Sequence, residues 1–293
     1  MKIAVIGSIN IDMSFEADHI PLKGETVFGK NIVYIPGGKG ANQAVAIAKL
    51  GGDVTMFGCV GDDSHGEAMI DNLKKYHIET KYIKKQTGVS TGLAVITVGD
   101  HDNTIVVIKG ANEYVDMNYI KEHIDILKDY DMFVLQYEIP YSTLEYIINW
   151  CYENKKTVIF NPAPAGYVSI DMFEKCTYVT PNEHEVLEIF NHKYTLEELF
   201  KKYPNKLIVT LGTKGISIGL NDNDIYNAPA RRVEVVDTTG AGDTVNGALA
   251  YALSVDKDIK DALNFANVAA SLSIQKYGAQ GGMPTLKEVE EVL

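Results

Sequence analysis

The segment Val236-Asp237-Thr238-Thr239-Gly240-Ala241-Gly242-Asp243-Thr244 combines a glycine-rich turn, a carboxylate and the start of an alanine- and leucine-rich run that extends to Leu253. That run reads as a buried helix. The first turn of a helix leaves backbone N–H groups without intrahelical acceptors. Those donors, with the positive end of the helix dipole, suit an anion, phosphate above all. Gly240 and Gly242 have no Cβ, so a ligand can come close to the backbone. Asp243 stands just past the turn, where it can take a proton from a hydroxyl attacking a phosphoryl group. A phosphate cradle beside a general base is kinase chemistry. The same residues also suit an ordinary loop in which Asp243 complements the helix dipole, so other segments have to decide.

Near the amino terminus, Gly7-Ser8-Ile9-Asn10-Ile11-Asp12 follows an apolar start. Ligands in open α/β sheets bind at the carboxyl ends of strands. Asn10 and Asp12 are therefore candidates for hydrogen bonds to a polyhydroxylated ligand; an Asx-turn loop is the alternative. The spacing is not Gly-x-Gly-x-x-Gly, so a dinucleotide fingerprint has little support. Pro36-Gly37-Gly38-Lys39-Gly40-Ala41-Asn42-Gln43-Ala44 leads into a helix. It departs from the phosphate loop Gly-x-x-x-x-Gly-Lys-[Ser/Thr], because residue 33 is Val and Gly40 follows the lysine. A Walker-type ATPase is disfavoured. Lys39 and Asn42 remain as donors beside a backbone that a ligand can approach, or the segment is only a tight strand-to-helix turn.

Glu138, in Gln136-Tyr137-Glu138-Ile139-Pro140, ends a buried strand, or is a surface acid ahead of a helix. Asn161-Pro162-Ala163-Pro164-Ala165 reads as a rigid loop after another strand. Asn182 and Glu185 are three apart in Thr180-Pro181-Asn182-Glu183-His184-Glu185. They fit an N-cap with its reciprocal acid, or a hold through water on a metal–phosphate complex. Mg²⁺ keeps several waters, so one acid is enough for that. Thr210-Leu211-Gly212-Thr213-Lys214-Gly215 turns sharply after a strand and serves either a nucleotide or a plain hairpin. None of the seven histidines forms a metal motif. No Gly-x-Ser-x-Gly elbow supports a serine hydrolase.

These residues need elements that bring them together. Apolar runs at 3–7, 54–59, 132–136, 157–161, 178–180 and 207–211 read as strands. Stretches at 41–50, 66–76, 117–128, 143–154, 183–190 and 196–203 read as helices. The strands are nearly continuous Val/Ile/Leu/Phe runs, as expected when both faces are buried. Strand and helix alternate, which predicts βαβ units, a mainly parallel sheet and helices on both sides. Two stretches break the rhythm. Residues 11–34 have no helical period. Residues 91–109 read as two strands around a turn at Gly99-Asp100-His101-Asp102-Asn103. They are expected to pair into a small accessory sheet that covers the site or joins a partner. The expectation is a single α/β domain over 1–293, with a lid from insertions at about 11–35 and 87–112.

Composition narrows the function. The chain has 293 residues, 46% hydrophobic, enough for one large core. A net charge of −12 argues against nucleic-acid binding, which usually needs a basic patch. No apolar run approaches a membrane span. The start reads as a strand, not a signal peptide. Cys59, Cys151 and Cys176 lie far apart with no Cys-x-x-Cys, so zinc or a disulfide framework is not expected and a reducing cytoplasm fits.

Taken in order, Gly-Ser-Ile-Asn-Ile-Asp, Gly-Gly-Lys-Gly-Ala-Asn-Gln-Ala, Asn-Pro-Ala-Pro-Ala, Pro-Asn-Glu-x-Glu and Asp-Thr-Thr-Gly-Ala-Gly-Asp-Thr resemble the ribokinase (PfkB) family of sugar kinases over essentially the whole chain. The resemblance implies a ribokinase-like three-layer α/β/α sandwich with a small β-sheet lid that often forms a homodimer contact. It implies ATP-dependent phosphorylation of D-ribose at the 5-hydroxyl. Deoxyribose, fructose or a nucleoside as acceptor, or a sugar-binding regulator without catalysis, are the alternatives. A sugar acid is weaker, because the only arginines are the adjacent Arg231 and Arg232. Asn10, Asp12, Gly38, Lys39, Asn42 and Glu138 match sugar-binding positions. Asp243 matches the catalytic base, and Gly240, Ala241 and Gly242 the anion hole. Asn182, Thr210, Gly212, Thr213, Lys214, Gly215 and Asn267 match nucleotide-side positions, and Glu185 the acid linked to Mg²⁺. The family is activated by a monovalent cation, usually K⁺. Asp237 and Thr239 match one segment of its loop. Ser273, Lys276, Gly278 and Gly282 match the other, mostly through backbone oxygens. The chain departs at Gly281-Gly282, where a glycine replaces a common serine and water would replace one oxygen ligand.

Overall fold

A computed structural model describes residues 1–100, 102–221 and 223–293. The strands are β1 (Ile3–Ile6), β2 (Asn10–Ala17), β3 (Gly29–Gly37), β4 (Val54–Gly61), β5 (Ile83–Gln86), β6 (Gly92–Gly99), β7 (Asp102–Ile108), β8 (Met132–Gln136), β9 (Thr157–Asn161), β10 (Tyr178–Val179), β11 (Ile208–Thr210), β12 (Ile216–Gly219) and β13 (Ile225–Ala228). The central sheet runs β10-β9-β8-β1-β4-β5 and every pairing in it is parallel. Single parallel bridges, Val179 to Leu207 and Asn182 to Thr210, extend it into an antiparallel sheet β11-β12-β13.

Both faces of the central sheet are covered, which explains the unbroken apolar strands. Ile3 and Val5 enter one core, while Ala4 and Ile6 enter the other. The helices Lys39–Lys49, Ala241–Ser254 and Ile259–Ser273 supply the first core. The helices Met117–Leu127, Tyr141–Glu153 and Glu183–Ile189 supply the second. A fully buried Ile, Leu or Phe side chain contributes roughly 1.5–3 kcal/mol, so the strand ends between these layers are held firmly. The result is a three-layer α/β/α sandwich. β1 lies between β4 and β8, so the chain winds outward in both directions from it. The carboxyl end of β1 is the switch point where such sheets bind ligands.

Three residues past β1, the chain enters a second sheet of order β3-β2-β6-β7. β2 pairs with β6 in parallel and with β3 antiparallel; β6 and β7 form a hairpin. Of the expected turn at 99–103, residue 101 lies outside the described residues. The segment Glu25–Phe28 is irregular, and the strand after it starts at Gly29. Sequence periodicity did not announce β5, β12, β13 or the Ile259–Ser273 helix. β5 is an edge strand carrying Lys84 and Lys85, and the helix is too widely buried to show a polar stripe. Among the described residues no helix is long and apolar enough to cross a membrane.

Candidate active site

Asp243 sits in the first turn of the helix Ala241–Ser254 and is 6% exposed. This helix packs closely on the helix Lys39–Lys49, where a side chain at Gly247 would strike Ala46. That approach brings two amides to the carboxylate. Asn42 Nδ2 donates to Asp243 Oδ2 at 2.9 Å and Gln43 Nε2 to Oδ1 at 3.0 Å. The preceding turn is built for its bend. Gly240 has φ 76°, a left-handed conformation that favours glycine. Thr244 Oγ1 donates to Gly240 O at 2.9 Å and Asn246 Nδ2 to Gly242 O at 2.9 Å. Ala241 N–H reaches Thr238 O at 3.2 Å. The N–H groups of Gly240, Gly242 and Asp243 have no acceptor among the described residues. Those donors are what an anion would meet.

A group of charged side chains faces Asp243. Glu138 follows β8; its Oε2 accepts from the Ser8 hydroxyl and, at 3.1 Å, from Lys39 N–H. It therefore holds the start of the Lys39–Lys49 helix and is not a free surface acid. Asp12 lies on β2, half-buried beside Gly37. Burial first, then the carboxylates of Glu138 and Asp243, push its pKa up to about 6 against the pull of Lys39. Burial works to lower the pKa of Lys39, but Asp243, Glu138, Glu185 and Asp12 outweigh it and hold the ammonium charged. Asn10 is buried, with Oδ1 accepting from Asn112 Nδ2 at 2.7 Å. Gly38 has φ 86°, and a Cβ there would lie 2.7 Å from Asn10 N. A Cβ at Gly40 would lie 2.7 Å from Ser8 N. These glycines serve the packing of the turn onto residues 7–10.

Two cavities meet at this turn. The smaller, about 220 Å³, is polar and lined by Lys39, Asn161, Asn182, Glu185, Gly242 and Asp243 among others. The larger, about 780 Å³, is mainly apolar, with walls that include Val233, Val235, Val245, Asn267, Ala270 and Ile274. Thr210, Thr238, Ala241 and Gly242 line both. Gly212, Thr213 and Gly215 also line the larger cavity; Lys214 is on the same turn, exposed, and lines neither. That turn does join antiparallel strands β11 and β12 as a hairpin. Asn182 and Glu185 form a complete capping box and line the small cavity as well. Burial raises the pKa of Glu185, against the Asn182 N–H and Lys39.

Beside the turn lies a second loop pair. Asp237 accepts from Thr239 N–H and Gly278 N–H, each at 2.9 Å. Burial opposes its ionisation, but these bonds hold the carboxyl below its usual range. A Cβ at Gly282 would overlap Ser273 O and lie 3.5 Å from Lys276 O, so Ser273, Lys276 and Gly282 converge. The Lys276 side chain turns away to Glu288 at 2.9 Å.

Some contributors carried no separate sequence signal. Asn112 also accepts from Ile9 N–H at 2.9 Å and fixes both Asn10 and the turn after β1. Gln43 links Gln136, Asn161 and Asp243. Asn246 accepts from Thr180 at 2.6 Å while it holds Gly242. An isolated buried amide has no periodicity and no charge, so only its neighbours reveal it.

The geometry is a buried carboxylate at a helix start, on the wall of a polar cavity that shares its turn with a larger apolar one. Comparison with known proteins agrees with it. Residues 1–286 match the pfkB family carbohydrate kinase model. A ribokinase of Lactococcus lactis is 45% identical, covering 100% of this chain and 97% of that protein. A deoxyribokinase of Salmonella typhi is 35% identical, covering 100% and 99%. The structure of an Arabidopsis thaliana ribokinase complexed with ribose and ATP is 29% identical with a TM-score of 0.90, covering 99% and 98%. Motif order, fold and site geometry thus lead to one family, and the chain belongs to the pfkB carbohydrate kinases.

Proposed function

We propose that the protein transfers the γ-phosphoryl group of ATP to O5 of D-ribose, with Asp243 as general base. The observation that carries this reading is Asp243 held by Asn42 and Gln43 on the wall of the polar cavity, next to Gly242, which lines both cavities. The ribokinase relatives support ribose and ATP as the pair. The larger cavity takes adenine and its ribose between residues 212–215 and Asn267. The phosphates enter the smaller one. Asp243 accepts the proton of the sugar's primary hydroxyl as that oxygen attacks. The N–H groups of Gly240, Gly242 and Asp243, with Lys39, meet the charge on the moving phosphoryl group. Positioning and electrostatics carry most of such a transfer. The sugar lies between Asp12, Asn10 and the free oxygen of Glu138, with the second N–H of Asn42 available to it. The β2-β3-β6-β7 sheet covers this sugar as a lid and limits hydrolysis by water.

The half-buried Glu185 carboxylate, facing the phosphate cavity with one oxygen tied to Asn182 N–H, suits an aquated Mg²⁺ that arrives with the nucleotide. When bound, that ion neutralises phosphate charge. The Asp237 carboxylate and the carbonyls of Ser273 and Lys276 suit a monovalent cation such as K⁺, which would stiffen the neighbouring anion-binding turn. The three buried free thiols suit the cytoplasm.

The test is ADP release with Mg-ATP against ribose, deoxyribose, fructose and nucleosides, with and without K⁺. Ribose-dependent turnover raised by K⁺ supports the full reading. Preference for deoxyribose, a second reading favoured by the Salmonella relative, would overturn the acceptor only. Sugar binding without ADP formation would overturn the kinase assignment for this chain.

Asp12 provides a pH test. Sugar hydroxyls donate to its ionised form, so sugar binding weakens as pH falls through about 6. KM for the sugar is expected to rise about tenfold per unit below that pH. Asp12→Asn should flatten this dependence; an unchanged slope in that variant would show that another group controls it.

The lid also supports a homodimer. Edge strand β7 is exposed throughout its length, with Ile105 54% and Val106 63% exposed. An apolar edge of this kind calls for a partner, and a second copy satisfies it with two-fold symmetry. Sedimentation is expected to give twice the chain mass, and Ile105→Lys with Val106→Lys to give a monomer. A monomeric parent would remove the proposal.

A further inference from the structure

Two buried amides stand in line between Asp243 and the helix Ser64–Lys75. Asn42 donates from Nδ2 to Asp243 Oδ2 at 2.9 Å. Gln280 donates from Nε2 to Asn42 Oδ1 at 3.0 Å. Asn72 donates from Nδ2 to Gln280 Oε1 at 2.7 Å. Asn42 and Gln280 are buried and Asn72 is half-buried. The direction of this line is forced from one end. An ionised carboxylate only accepts, and each amide has one donating and one accepting side. Asn42 must turn its NH₂ to Asp243, so its oxygen faces Gln280. Gln280 must then present its own NH₂, which leaves its oxygen for Asn72. The backbone of Gln280 is anchored too, since Lys49 Nζ donates to its carbonyl at 3.3 Å.

We propose that Gln280 is a positioning residue that pins the Asn42 amide with its NH₂ toward the Asp243 carboxylate, in a line whose outer donor is Asn72. The proposal rests on Asp243 as the base. Without Gln280, the Asn42 amide still turns its NH₂ to the carboxylate, but its oxygen loses the buried donor that pins it. Asp243 would be held less firmly by that donor, and its ionised, proton-accepting form would be disfavoured. Gln43 would still hold the other oxygen, so the side chain would stay in place while its basicity changes. The charged groups that face Asp243, Lys39 and Asp12, make no hydrogen bond to Gln280 or Asn72.

The experiment compares Asn72→Asp, Asn72→Leu and Gln280→Leu in the full-length protein, with kcat measured against pH. Asn72→Asp keeps the side-chain size but offers an acceptor where the line needs a donor. Two amides cannot serve an acceptor at each end: one junction must join two oxygens, or one carboxylate must hold a proton. The acid limb of kcat is expected to move up by about one pH unit, with the plateau above it unchanged. Asn72→Leu removes the donor without reversing the demand, and its acid limb should stay in place. Gln280→Leu removes the donor on Asn42 itself and should move the limb in the same direction, with KM for ATP unchanged. It keeps the test open if Asn72→Asp does not fold. An unmoved limb in both Asn72→Asp and Gln280→Leu would overturn the relay. The same shift in Asn72→Leu would reduce Asn72 to a packing contact and also overturn it. If Asp243→Asn keeps turnover, the base assignment has failed; if it is inactive while the limbs stay put, the relay alone has failed.

Discussion

Asp243→Asn is expected to lower kcat on the order of 10³-fold while the fold persists and sugar affinity changes far less. The substitution preserves shape but removes the carboxylate assigned to take the hydroxyl proton. It also changes the local hydrogen bonding. Both Asp243 oxygens now accept from amides, Oδ1 from Gln43 and Oδ2 from Asn42. An asparagine can accept at one side only, so Asn42 or Gln43 must turn away. Asn42 is placed at the sugar, so KM for ribose is expected to rise by a factor of a few, well short of the loss in kcat. Calorimetric titration with ribose, alongside ADP release, separates the two effects. Turnover within tenfold of the parent would rule Asp243 out as the base.

The turn before Asp243 allows a contrasting pair of substitutions. At Gly240, φ is 76° and a Cβ would lie 2.6 Å from the Ala279 Cβ and 2.8 Å from its Cα. Gly240→Ala therefore combines left-handed strain with overpacking, and a loss of about 2–4 kcal/mol in stability is expected. The displaced turn also carries the unpaired N–H groups, so kcat should fall by about 10²-fold or more. At Gly242 a Cβ meets nothing within 4 Å and the backbone is helical. Gly242→Ala should leave the melting temperature unchanged or slightly higher, since alanine is the better helix former by roughly 0.5–1 kcal/mol. Its methyl, however, points into space shared by both cavities, where the phosphoryl group has to pass. A similar loss of kcat without a loss of stability is expected. Thermal melts with kinetics on both variants decide this. A fully active Gly242→Ala would mean that the phosphoryl group does not approach the turn from that side.

Much of the architecture was legible in the chain because its physics is local. Unbroken apolar runs such as Met132–Gln136 and Thr157–Asn161 required strands covered on both faces, and those bounds match the structure. Asn182 and Glu185 at a spacing of three fitted a capping box, one of two readings, and the box is present. The glycine-rich turn before an apolar run marked the start of the helix Ala241–Ser254. What failed to show were elements whose burial is not periodic. Edge strand β5 is too short and polar to alternate, and the broadly buried helix Ile259–Ser273 has too little polar surface to show a stripe.

By itself the sequence determined the fold class, the family and the residue types available for chemistry. Each follows from motif order or from interactions within a few residues. The tertiary structure decided which of those residues act together. Asn42 and Asp243 are 201 positions apart, Ser8 and Glu138 are 130, and Asn42 and Gln280 are 238. Such partners meet only because β1 sits at the centre of the sheet and the helices Lys39–Lys49 and Ala241–Ser254 pack on one face of it. Whether Glu138 caps a helix or faces water, and whether Gln280 reaches Asn42, depends on that packing. A hydrogen bond needs its two groups within about 3 Å at a defined angle, and spacing along the chain contains no such distance.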